Sequence, residues 1–127
     1  MTESKLDTAQ AARGLLIREL EGRGYKVTQG GPPRHLVAER PGVGDRFCIH
    51  VKGNRKPSPW FATEVPEHDI PVCILVVVEG TRFFIMKSSE FNGLIRLYRQ
   101  EHPQQGASGF KWSDCVPFEN RWDKLPA

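Results

Sequence analysis

The order of periodicities along the chain predicts an α/β (α+β) fold, a single mixed β-sheet flanked by two main helices. Three observations carry this. Residues 46–52 alternate, with Phe47, Ile49 and Val51 on one side and Cys48, His50 and Lys52 on the other, the period of a β-strand. Residues 72–78 are apolar at every position, as expected of a strand covered on both faces and therefore central in its sheet. Before and after these runs lie two helical stripes. Ala9, Ala12, Leu16 and Leu20 make the first, and Phe91, Leu94, Ile95 and Tyr98 make the second.

Taken in order, Asp7 or Thr8 can cap the first helix, which runs to about residue 21 or 23 and stops at Gly22 and Gly24. Residues 25–28 are a short strand candidate, and Gly30-Gly31-Pro32-Pro33 is a loop by composition. In residues 35–40, His35, Val37 and Glu39 share one face while Leu36 and Ala38 share the other. Pro41-Gly42-Val43-Gly44 then turns the chain, so an antiparallel hairpin with the 46–52 strand is the simplest pairing.

Residues 53–71 hold Pro57, Pro59, Pro66 and Pro71 without a sustained period, and read as a loop carrying Trp60 and Phe61 as an anchor. A loop of that length in a compact domain is usually functional. Residues 79–82 turn the central strand into a second hairpin with 83–86, and Ser88 or Ser89 caps the second helix through about residue 100. Phe110, Trp112, Phe118 and Trp122 need a surface to cover. Residues 103–127 are therefore expected to form an ordered C-terminal strap on a single domain spanning 1–127.

With 127 residues, 39% hydrophobic and 26% charged, the chain can build a core of its own and does not have a disordered composition. A net charge of +3 permits a polyanionic partner without demanding one. Cys48, Cys73 and Cys115 are an odd number, far apart and without a C-x-x-C pair. Neither a disulfide framework nor a zinc ribbon is indicated, and a reducing cytoplasm is the expected home. The first ten residues are polar and acidic rather than basic then apolar, and residues 72–78 are too few to span a bilayer, so neither export nor membrane insertion is expected.

The chemistry concentrates after the alternating strand. Lys52, Arg55 and Lys56 place three cations in five residues, the densest basic feature of the chain. A lysine ending a strand keeps its ammonium at the sheet's rim, where phosphate can reach it. With Arg34, Lys87, Arg96 and Arg99 the run could line a groove for a sugar-phosphate backbone. Trp60, beside the run, could stack on unpaired bases or pin its loop to the core. No G-x-x-x-x-G-K-S/T, G-x-G-x-x-G or H-E-x-x-H occurs, which leaves nucleotide hydrolysis, dinucleotide binding and zincin proteolysis without support.

A strand reading H-L-V-A-E, a turn, and a strand reading I-H-V-K-G resemble the core of the PD-(D/E)XK nuclease superfamily, the restriction-endonuclease-like fold. The whole chain is similar to small uncharacterised members of that superfamily. The matching parts are Val51-Lys52, a polar loop with Trp60, the apolar strand, the second helix, and the closing Arg121-Trp122-Asp123-Lys124-Leu125.

The resemblance implies nuclease chemistry, with a divalent ion held by an aspartate on one strand and by an acid-x-lysine pair on the next. Carried over, His35 stands where the aspartate would be, His50 where the glutamate would be, and Lys52 matches. Magnesium needs hard carboxylate oxygens, whereas imidazole suits zinc, copper or nickel. Residues 8–14 supply no acid. Glu39 lies four residues from His35, over a dozen ångströms at about 3.3 Å per residue.

The expected protein is thus a nucleic-acid binder of nuclease-like fold, on DNA or RNA, without magnesium-dependent cleavage and without a cofactor. Lys52, Arg55, Lys56, Arg34 and Trp60 are its contacts, and His35, His50 and Lys52 its vestigial or modified catalytic positions. One alternative is an active nuclease using a divalent transition metal, such as zinc, gripped by His35 and His50 with Cys48 or a water. Another is an immunity or accessory module with a protein partner.

Overall fold

Ala12, Leu16 and Leu20 fall on one stripe of helix α1 (Lys5–Gly22) and are fully buried, each leucine contributing about 1.5–3 kcal/mol by leaving water. The helix closes in a Schellman turn. The Tyr25 amide donates to the Leu20 carbonyl and the Gly24 amide to the Glu21 carbonyl, both at 3.0 Å. Gly24 takes φ +96°, which a Cβ would strain. These coordinates are a computed structural model that describes residues 5–29, 35–42, 46–57, 59–62, 70–103 and 109–126.

The main sheet holds β1 (Lys26–Gln29), β2 (His35–Glu39), β3 (Arg46–Asn54), β5 (Val72–Val77) and β6 (Arg82–Lys87), in the order β1-β2-β3-β5-β6. Every pairing is antiparallel except β3 with β5, which is parallel. The sheet is mixed and the fold is α+β, as the periodicities predict. Strand β5 is buried at every position because its two faces enter different cores. Val72, Ile74 and Val76 join α1 with Leu36, Ala38, Ile49 and Val51. Cys73, Leu75 and Val77 join helix α2 (Ser88–Glu101) through Phe91 and Ile95.

A parallel pair needs a long crossover, and that accounts for the length of residues 55–71. Part of this stretch is not loop. β4 (Trp60–Ala62) pairs antiparallel with β7 (Gly109–Lys111) in a separate two-stranded ribbon, so a second sheet joins the one expected. β3 also continues through Gly53 to Asn54. A Cβ on Gly53 would lie 2.7 Å from Ala12 Cβ and 3.3 Å from the Thr8 carbonyl oxygen. The glycine therefore marks where α1 crosses β3 at close range and does not begin a loop.

The cap of α2 also differs from expectation. The N-cap is Lys87, whose amide donates to Glu90 Oε1 at 2.9 Å. The Ser88 hydroxyl instead donates to the Ile70 carbonyl, and its amide donates to the Pro71 carbonyl at 3.0 Å, so Ser88 ties the entry of β5 to the start of the helix.

After β7 come helix α3 (Trp112–Cys115) and two 3-10 turns, Val116–Phe118 and Trp122–Lys124. They close the outer edge of β6. Glu119 bridges Phe84, the Asn120 amide donates to the Phe83 carbonyl at 2.9 Å, and Trp122 packs on Phe83 with centroids 5.4 Å apart. Among the described residues no helix is long and apolar enough to cross a membrane.

Candidate functional site

The β2–β3 register sets His35 directly opposite His50. Since directly opposed residues share a face, both imidazoles lie on the α2 side of the sheet while Leu36 and Ile49 face α1. Their ring centroids are 5.5 Å apart at 65°. His50 also meets Phe91 of α2 edge-on at 6.0 Å, and its neighbour on β5 is Cys73. Only 8% of His35 and 4% of His50 is exposed. The pair is covered by the second helix, so neither ring is presented to solvent as a catalytic base would be. Burial pushes the Cys73 thiol up to about 12, against a weaker opposing effect of its 3.8 Å contact with Ser88 Oγ, so this sulfur is a neutral thiol and no nucleophile.

Lys52 follows two residues later on the same face, opposite Leu75 and half-buried. Because β2 begins at His35, no described strand flanks β3 on that side beyond His50. Among the described residues, β3 from Lys52 onward is paired on one side, with β5. The parallel pairing runs to Asn54 opposite Val77, and the chain then turns through Arg55 and Lys56, both exposed. Asn54 shapes this turn by donating from Nδ2 to the Lys56 carbonyl at 3.2 Å. Lys52, Arg55 and Lys56 thus stand together at the carboxyl end of the parallel pair, where open α/β sheets form their ligand crevices.

Other candidates separate from this cluster. Arg34 lies outside the described residues. Trp60 opens β4 opposite Lys111, four residues beyond Lys56. Lys87 pairs with Val72, at the opposite end of the sheet from Val77, and does not join the basic turn. Arg96 and Arg99 occupy the exposed side of α2. The sequence reading missed two residues at the right end. Arg82, opposite Val77, is held by Glu119 and turned away from binding. Glu79 sits 3.9 Å from Arg55, a proximity that only the parallel pairing of β3 and β5 creates.

Among the described residues, the donor set near Lys52 does not fit a magnesium cage. Its contribution is two buried imidazoles, and among the described residues no group of three or more His, Cys, Asp or Glu side chains could hold a metal ion. The same finding counts against His35 and His50 gripping a transition metal with Cys48, which lies opposite Val37.

The architecture is of the α+β class, a mixed five-stranded sheet with helices packed on it. No family model matches the chain, and no curated protein matches it. Among solved structures, the bacterial homing endonuclease I-Ssp6803I is similar to it with a TM-score of 0.55, over 84% of this chain and 74% of that one, at 14% identity. The likeness is one of fold.

Proposed function

We propose that this chain binds nucleic acid, DNA or RNA, through the rim and turn at the end of β3, and does so without magnesium-dependent cleavage. The observation that carries the reading is the grouping of Lys52, Arg55 and Lys56 at the carboxyl end of the β3–β5 pair, in a fold shared with a homing endonuclease. Each cation neutralises a phosphate and releases condensed counterions, so affinity comes from the backbone and falls with salt. Arg34 and Trp60 are kept as proposed contacts from the sequence alone, Arg34 lying outside the described residues.

His35 and His50 are taken as the altered metal-ligand positions of a PD-(D/E)XK-like centre. Their direct opposition and the Lys52 that follows support the correspondence. Their imidazoles, both buried and that of His50 set against Phe91, support the loss of magnesium chemistry, which needs carboxylate oxygens facing the phosphate. Residues 1–127 act as one domain with a C-terminal strap, in a reducing compartment such as the cytoplasm, consistent with three free thiols at Cys48, Cys73 and Cys115. Binding of labelled DNA and RNA titrated with salt tests the proposal. Affinity that does not change with salt overturns the binding claim, and cleavage in magnesium overturns the second half.

A further inference from the structure

Among the described residues, the acid that the fold brings to the basic turn is Glu79. Its Oε1 lies 3.9 Å from Arg55 Nε, with the two side chains 50% and 45% exposed. The juxtaposition is built by the backbone. The Val78 amide donates to the Asn54 carbonyl at 2.8 Å and the Glu79 amide to the Arg55 carbonyl at 3.0 Å, so the two chains stay joined through the backbone just past the end of the β3–β5 pair. The turn that follows is fixed by Gly80 at φ +82° and Thr81 at φ +51°, with the Thr81 amide donating to the Val78 carbonyl at 3.1 Å. The carboxylate is thus held at Arg55 by a rigid backbone while its head stays in water.

We infer that Glu79 is a built-in counter-anion that occupies Arg55 in place of a phosphate and must yield it when nucleic acid binds. The inference rests on the nucleic-acid reading and adds its regulation. A pair this exposed and this loose holds its partner by no more than about a fivefold bias. A strand bearing many phosphates displaces it, whereas a single free phosphate competes poorly. The same carboxylate repels any phosphate approaching Lys52 or Lys56, so the acid favours long polyanions over small anions.

The test is fluorescence anisotropy with labelled single-stranded and duplex DNA at KCl concentrations from about 50 to 200 mM. Glu79→Gln is expected to bind about three- to tenfold tighter, with a salt slope steeper by up to about 0.9, and Glu79→Asp to fall between it and the parent. In an Arg55→Ala background the gain from Glu79→Gln should shrink to the part that comes from repulsion at Lys52 and Lys56, since the pair with Arg55 no longer contributes.

Glu21 is an exposed acid on α1, nine residues from the Ala12 contact with Gly53, or about 13 Å of helix. Glu21→Gln makes the same change in net charge and should leave affinity unchanged. A parent that binds none of these probes removes the nucleic-acid reading and this inference with it. A parent that binds while Glu79→Gln binds no tighter, a gain undiminished without Arg55, or an equal gain from Glu21→Gln overturns the counter-anion alone.

Discussion

Two arginines flank the β5–β6 hairpin, and each has an acid beside it. Arg82 forks Nε and Nη2 onto the two carboxylate oxygens of Glu119, each at 2.8 Å, with its guanidinium 4.9 Å from the centre of the Trp112 ring and 5.5 Å from that of Phe84. Arg55 has Glu79 at 3.9 Å. The first arrangement is bidentate, stacked and partly shielded, and it raises the Arg82 pKa while holding the Glu119 carboxyl below its usual range. The second is longer, and both its side chains are about half exposed. Positive charge in a sequence does not distinguish the arginine that staples the C-terminal residues to β6 from the one beside an exposed acid in a turn. Geometry does.

The largest effect is expected at the staple. Arg82→Ala strands Glu119 and removes the support of Trp112, and should cost about 2–3 kcal/mol of stability by chemical denaturation, with nucleic-acid affinity changed less than twofold. Arg82→Lys should recover only part of the loss, because an ammonium cannot make the fork. A large loss of binding with little loss of stability would erase the contrast between the two arginines.

Next comes the α1–β3 crossing. Gly53→Ala puts a methyl where Ala12 Cβ already lies 2.7 Å away, and should destabilise by about 1–3 kcal/mol. Pairing it with Ala12→Gly should return part of this. The crossing lies directly after Lys52, so the measurement also separates the scaffold from the cations it presents.

A smaller effect follows from pH. Two carboxylates hold the strap. Glu119 is lowered by its bond to Arg82. At Glu90 burial acts upward but is outweighed by the 2.7 Å bond to Lys124 and the bond from the Lys87 amide. Both folded-state values lie below the ordinary 4.5, so the unfolded chain takes up protons first as pH falls. Their stabilisation is complete above about pH 4.5 and is lost as pH drops through the folded values. Denaturant midpoints should therefore fall more steeply with acid in the parent than in Glu119→Gln.

How much of this was legible beforehand varies with the length of the signal. Alternation in residues 35–40 and 46–52, with Pro41-Gly42 between, was enough to place His35 and His50 on the same face of paired strands. The unbroken apolar run of 72–78 located the central strand. The β4–β7 ribbon was not legible, because each strand has three residues and the partner lies about fifty residues away. Nor was the role of Gly53, which depends on how closely a helix passes, or the closeness of Glu79 to Arg55, which depends on a parallel pairing no local pattern encodes. Ser88 looked like a cap because serine commonly is one. The strand runs one residue further than expected, to Lys87, which becomes the N-cap, and the Glu90 carboxylate accepts from its amide.

The most direct measurement is the affinity of the folded chain for labelled DNA and RNA as a function of salt, beside Lys52→Ala and Arg55→Ala. If the end of β3 is the binding surface, the logarithm of affinity falls linearly with the logarithm of salt concentration. Each substitution should then remove up to about 0.9 from that slope on duplex DNA, with stability changed by less than about 0.5 kcal/mol. Binding that ignores salt, or slopes identical in all three proteins, would contradict it.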